Sequence, residues 1–224
     1  MFIISFFRYN EHKSIALYEI ANIKFQSDIE ESLKLMKEAI SLRGFFTPYV
    51  KFIVSLFIQN NNITDVKKLL NRAWNNNPSS ELRNFVVDIS LQLKLDVVKF
   101  ISSFKNIKNP IYQNQMLKTQ AYISNQKWLE AREQIKNVMT EKPSKEICDL
   151  MAMIEIGENN DIAKSKSWKM RGDSANVKNC WICTITNQPH KEWSSVSKDG
   201  YFNSLEWKQI PMLYNQIERK NNEY

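Results

Sequence analysis

Residues 128–143 read Trp-Leu-Glu-Ala-Arg-Glu-Gln-Ile-Lys-Asn-Val-Met-Thr-Glu-Lys-Pro, and this stretch decides the fold. Trp128, Ala131, Ile135 and Met139 recur every three or four residues, the spacing that lines one face of a helix. Ala131 is a small residue on that face, as two tightly crossing helices require. Pro143 then stops the run, because proline lacks the amide donor and clashes with the preceding turn. Upstream, residues 111–123 carry a second apolar pattern. Ser124-Asn125-Gln126 breaks the two apart. The unit is a helical hairpin ended by a proline.

Working outward, the unit recurs. Pro78, Pro110 and Pro143 are 32 and 33 residues apart, and Gly44 lies 34 before Pro78. Ala39 and Ala73 each sit five residues before such a breaker. The spacing predicts five pairs: 12–25 with 29–42, 48–58 with 65–74, 81–93 with 96–104, 111–123 with 128–139, and 145–156 with 161–170. Gln26-Ser27-Asp28, Asn60-Asn61-Asn62 and Gly157–Asn160 are read as breaks, and Thr64 or Asp65 as an N-cap. The fold class is all-α: an α-solenoid of about five helical hairpins over residues 1–171. An irregular all-α bundle is the alternative. A short irregular or β-ribbon tail rich in tryptophan follows over 172–210, and a polar C-terminal segment over 211–224.

Composition supports this reading. Four glycines and six prolines in 224 residues are too few for the turns of a sandwich or barrel, or for the phosphate loop of a dinucleotide-binding sheet. The net charge of +7 comes from 24 Lys and 7 Arg against 24 acids, scattered rather than clustered. That pattern reads as a solvated face, and no nucleic-acid partner is expected. No run of 18 apolar residues occurs, so the chain by itself reads as soluble, with an apolar start over residues 1–7. Three cysteines, an odd count, favour a reducing compartment.

Candidate chemistry is sparse. Cys180-Trp181-Ile182-Cys183 is a CxxC without the strand–helix setting of a redox motif. It also lacks a second CxxC to complete a metal site; His190 and Cys148 would be improvised ligands. His190 follows Pro189 and reads as an exposed loop histidine; neither it nor His12 has an apparent triad partner. Glu30, Glu31 and Asp161 read as first-turn helix acids. Met151 and Met153 read as core. No catalytic, cofactor-binding or metal-ligating residue is assigned. The structural positions are Ala39, Ala73, Pro78, Ala131 and Pro143 in the repeats, with Trp181, Trp193, Leu205 and Trp207 in the tail. The three tail tryptophans are expected to form a satellite core capping the last repeat, with an exposed aromatic binding surface as the alternative.

The period and small-residue positions resemble tetratricopeptide repeats, best where Tyr122, Ala131, Ile135 and Pro143 fall, and next at Phe57, Val66, Leu70, Ala73 and Pro78. The tail carries the more specific likeness. Trp181-Ile182-Cys183, Glu192-Trp193 and Phe202-x-x-Leu205-x-Trp207 resemble the end of the HemY family, bacterial inner-membrane proteins with such repeats. Gly44-Phe45, Arg72-Ala73-Trp74 and Trp128-x-x-Ala131-Arg132 agree with it. The likeness covers about residues 11–208. Fuller ribbons of that family carry two Cys pairs suited to zinc. Here only Cys183 keeps the pattern, Thr186 stands at its partner position, and the second pair is reduced to Ser197-Lys198-Asp199. The family's membrane-spanning part has no counterpart in this chain, and residues 1–7 read as the remnant of an internal helix. The resemblance implies a non-catalytic, inner-membrane-associated scaffold for a protein or peptide partner, with haem biosynthesis as the family label. A haem- or porphyrin-handling accessory protein and a basic nucleic-acid-binding repeat protein are the alternatives.

Overall fold

The computed structural model describes residues 2–104, 111–175 and 179–209. Pro110 and the segment 211–224 lie outside them. Ten helices are described: α1 (Phe2–Lys24), α2 (Ile29–Arg43), α3 (Thr47–Gln59), α4 (Ile63–Asn76), α5 (Ser80–Gln92), α6 (Val97–Ser102), α7 (Ile111–Ser124), α8 (Trp128–Lys136), α9 (Lys145–Asn159) and α10 (Ile162–Asp173). Each odd-numbered helix packs against its successor as an antiparallel pair, and each pair then packs on the next. The protein is mostly helical, with a small three-stranded sheet at its C-terminal end.

The turns explain how so little glycine suffices. Asn61, Lys94, Gln126 and Asn160 turn four of the five hairpins with φ between 53° and 58°. Asparagine enters this left-handed region more readily than most residues, so it takes the place that glycine fills elsewhere. Helix starts are closed by short polar side chains. Asp28, Asn62, Ser79, Asp96, Ser144 and Asp161 each accept a hydrogen bond from the backbone N–H three residues on. The cap of α4 is therefore Asn62, not Thr64 or Asp65.

Ala39, Ala73 and Ala131 are completely buried at helix crossings. Around Ala73 lie Val66, Leu70, Trp74, Leu82 and Val86. Ala131 packs with Ile135, Ile147 and Ile154. Pro78 lies between α4 and α5, directly before the Ser79 cap, and Pro143 lies buried directly before the Ser144 cap.

Two glycines are not breakers. Gly157 lies inside α9, where a Cβ would overlap the Trp128 ring of α8. Gly172 lies inside α10, 3.0 Å from Cys148 Cβ measured from the position of its missing Cβ. Glycine there permits close approach rather than a stop. Helix α1 also begins ten residues before the expected position 12. Met151 is buried, but Met153 is about half exposed and stands outside the core.

The tail forms strands β1 (Asn179–Cys183), β2 (Pro189–His190) and β3 (Leu205–Gln209) in the order β2-β1-β3, all antiparallel. Trp181 stands opposite both His190 and Trp207. His190 is buried rather than exposed. Pro189 does not force a loop there, because β2 is an edge strand and an edge tolerates a missing donor. Among the described residues, no helix is long and apolar enough to cross a membrane.

Candidate functional site

The first helices of the pairs, α1, α3, α5, α7 and α9, share one side of the array, and that side is divided in two. Over α1, α3 and the start of α5 it is covered by the ribbon. Over α5, α7 and α9 it opens into a cleft.

The covered part is aromatic. Trp193 meets Tyr18 and Phe46 edge-on, both at 5.2 Å between ring centroids, and Tyr49 at 5.9 Å. Trp181 lies 5.7 Å from Phe46 and 5.5 Å from Trp207. Phe202 caps His12 at 5.2 Å. Edge-to-face pairs add to the apolar area they bury. Burial pushes the phenols of Tyr18 and Tyr49 above their ordinary values.

Polar contacts fix the register of the ribbon. Glu81, buried in the first turn of α5, accepts from Lys51 Nζ at 2.7 Å and from Trp181 Nε1 at 3.3 Å. Trp207 Nε1 donates to Ser80 Oγ at 3.1 Å. Asn203 Nδ2 donates to Glu11 Oε2 at 3.4 Å. Trp193 Nε1 is buried without a hydrogen-bond partner among the described residues.

Trp181, Cys183 and Leu205 do form a satellite core with Trp193 and Trp207, but its seat differs from the expected one. The ribbon rests on the first three hairpins instead of capping the last. Only three residues separate Ala175 from Asn179, yet Trp181 reaches Glu81. The array therefore curls until the end of α10 stands near the start of α5. The outer side of α10 is left exposed, with Ile162 and Met170 in solvent.

The open cleft, about 410 Å³, is lined by Asn84 of α5, Gln113 and Gln120 of α7, Glu146, Asp149 and Met153 of α9, and Trp207 and Gln209 of β3, among others. Arg83, fully buried, lies at the centre of its polar network. Its Nε donates to Gln120 Oε1 at 2.9 Å, Nη1 to Gln113 Oε1 at 2.7 Å, and Nη2 to Glu146 Oε1. Gln120 Nε2 in turn donates to Asn84 Oδ1 at 3.0 Å. One guanidinium thus ties three successive first helices together. Burial pulls its pKa down to about 10, so it stays charged at neutral pH. Behind the cleft, Arg132 of α8 grips Glu155 at 2.9 Å and Glu158 at 2.6 Å. The Arg132 hydrogen bond holds the Glu155 carboxyl below its ordinary value.

The CxxC is split by its strand, since residues three apart on a strand face opposite sides. Cys183 is buried and donates to Ser204 Oγ at 3.4 Å. Thr186 Oγ1 and Asp199 Oδ2 are hydrogen-bonded at 2.8 Å. Among the described residues, no group of three or more His, Cys, Asp and Glu could hold a metal ion.

Sequence reasoning missed Arg83 and its amide partners. A signal existed: Arg83 shares a helix face with Val86, Val87 and Ser90, an arginine inside an apolar stripe. Gln113 and Gln120, seven apart, likewise share a face of α7. Comparison with protein-family models, curated proteins and solved structures returns no match for this chain.

Proposed function

We propose that this chain is a non-catalytic, tetratricopeptide-type scaffold that holds a protein or peptide partner on the side lined by its first helices. The observation that carries the reading is the cleft over α5, α7 and α9. Three consecutive first helices contribute amides, carboxylates and a methionine to one opening, and a buried arginine holds them in register. Helical-repeat arrays bind extended partners on such shared faces. The likeness of Trp181 to Trp207 and of the repeat positions to the HemY family supports the further reading of a HemY-like protein associated with an inner membrane.

Proximity labelling and pull-down with the full chain test this, with a Met153→Glu, Gln209→Glu double variant as control, both residues being solvent-facing on the cleft and outside the Arg83 network. The reading expects a partner enriched by the wild type and lost from the variant at equal thermal stability. A partner that binds both equally would overturn it.

A further inference from the structure

Strand β3 is an edge, and the hydrogen bonds of the ribbon show which of its main-chain groups point outward. Cys183 N–H donates to Gln188 O at 3.0 Å, and Cys183 O accepts from Asn187 N–H at 2.8 Å, both on the β2 side of β1. Successive residues of a strand turn their main-chain groups to opposite sides. Thr184 N–H accordingly donates to Ser204 O at 2.7 Å, on the β3 side. The alternation runs down the register. Glu206 and Lys208, opposite Ile182 and Cys180, turn their N–H and C=O groups toward β1. Leu205, Trp207 and Gln209 turn theirs away. Among the described residues, no strand pairs with that outer edge.

The outer edge borders the cleft. Trp181 of β1 lies against Phe46, just before α3, whereas Trp207 of β3 bonds to Ser80 at the start of α5. The sheet thus steps toward the cleft over α5, α7 and α9, and Trp207 and Gln209 line it. Resting on the scaffold reading, we propose that the cleft takes its partner as an added strand. An extended peptide segment pairs with β3 through the main chains of Leu205, Trp207 and Gln209. These residues stand about 7 Å apart, the two-residue repeat of any extended segment. An unpaired strand edge is a template for such pairing. A cleft of about 410 Å³ admits one extended segment rather than a second folded chain.

The test screens the full chain with a library of acetylated, amidated hexapeptides. The best binder is then titrated by fluorescence anisotropy, unmodified and N-methylated at each residue in turn. A strand pairs through every second residue, so binding should be lost at alternate positions and tolerated between them. On the protein, Gln209→Pro removes an outward donor and leaves the pairing with β1 intact. It should bind about fivefold more weakly than Gln209→Ala at equal melting temperature. Should the melting temperature fall, the N-methyl scan decides alone. Uniform tolerance of N-methylation would overturn the assignment, as would equal binding by the two variants. So would a wild-type dimer in sedimentation that Gln209→Pro dissolves, because the edge would then pair with a second copy. The two readings fail differently. A partner protein captured equally by wild type and Gln209→Pro overturns the strand addition and leaves the scaffold standing. Capture of neither peptide nor protein overturns both.

Discussion

The two halves of the first-helix side are built from the same repeat yet treated oppositely. In the N-terminal half, α1, α3 and Phe46 just before α3 present an aromatic face that includes Tyr18 and Tyr49, and the ribbon lays Trp181 and Trp193 over it. In the C-terminal half, α5, α7 and α9 present Asn84, Gln113, Gln120 and Glu146, and the surface stays open. An aromatic face exposed to water is costly and must be covered. An amide face is already solvated and can wait for a ligand. The difference teaches that the chain spends its own tail on the half that cannot stand in water and leaves the polar half open to solvent.

The largest effect is expected from breaking the open half. Arg83→Met removes the cation shared by three helices and takes from Glu146, Gln113 and Gln120 the donor that holds them together. Each hydrogen bond to a charged group contributes about 1.5–3 kcal/mol, and three are lost together. Chemical denaturation should show a loss of that size, larger than for any substitution on the ribbon. Next comes Trp193→Ala in the closed half, expected to cost about 3 kcal/mol, since the indole touches three rings but is not fully buried. A melting curve should fall by several degrees. Trp193 Nε1 has no partner to strand, so Trp193→Phe should recover most of the loss.

Gly157→Val sharpens the comparison by acting on α9 from behind. Its side chain would drive into Trp128, and overpacking of this kind costs about 1–3 kcal/mol. The double variant Gly157→Val, Trp128→Ala should be less than additive in denaturation. The smallest effect is a pH dependence. The Glu155 carboxyl is depressed in the folded state by Arg132. Its stabilisation is therefore complete above the ordinary glutamate value and is lost as pH falls through the depressed one. Glu155→Gln should lower stability at neutral pH and flatten the acid limb of a stability profile.

Much of the helical half of this architecture was legible in the sequence, because hairpin arrays are local. The apolar stripes, the buried alanines at 39, 73 and 131, and the polar breaks at Asn61, Gln126 and Asn160 each follow from neighbours within two turns. Gly157 was misread because a glycine that makes room for a ring on another helix looks, in sequence, like one that ends its own. The destination of the ribbon left no local trace. Trp193 and Tyr18 are far apart in the chain, and nothing near either one names the other. Arg83 was legible only as an anomaly, an arginine where the stripe called for an apolar residue. Its meaning came from Gln113, Gln120 and Glu146, which lie on other helices.

Hydrogen–deuterium exchange on the full chain, wild type against Trp193→Ala, tests the division of the first-helix side most directly. If the ribbon seals the N-terminal half, exchange rises in peptides covering residues 12–25 and 45–58 and stays unchanged in 111–124 and 145–159. Faster exchange confined to 145–173 would contradict the account, because it would place the ribbon over the last hairpin.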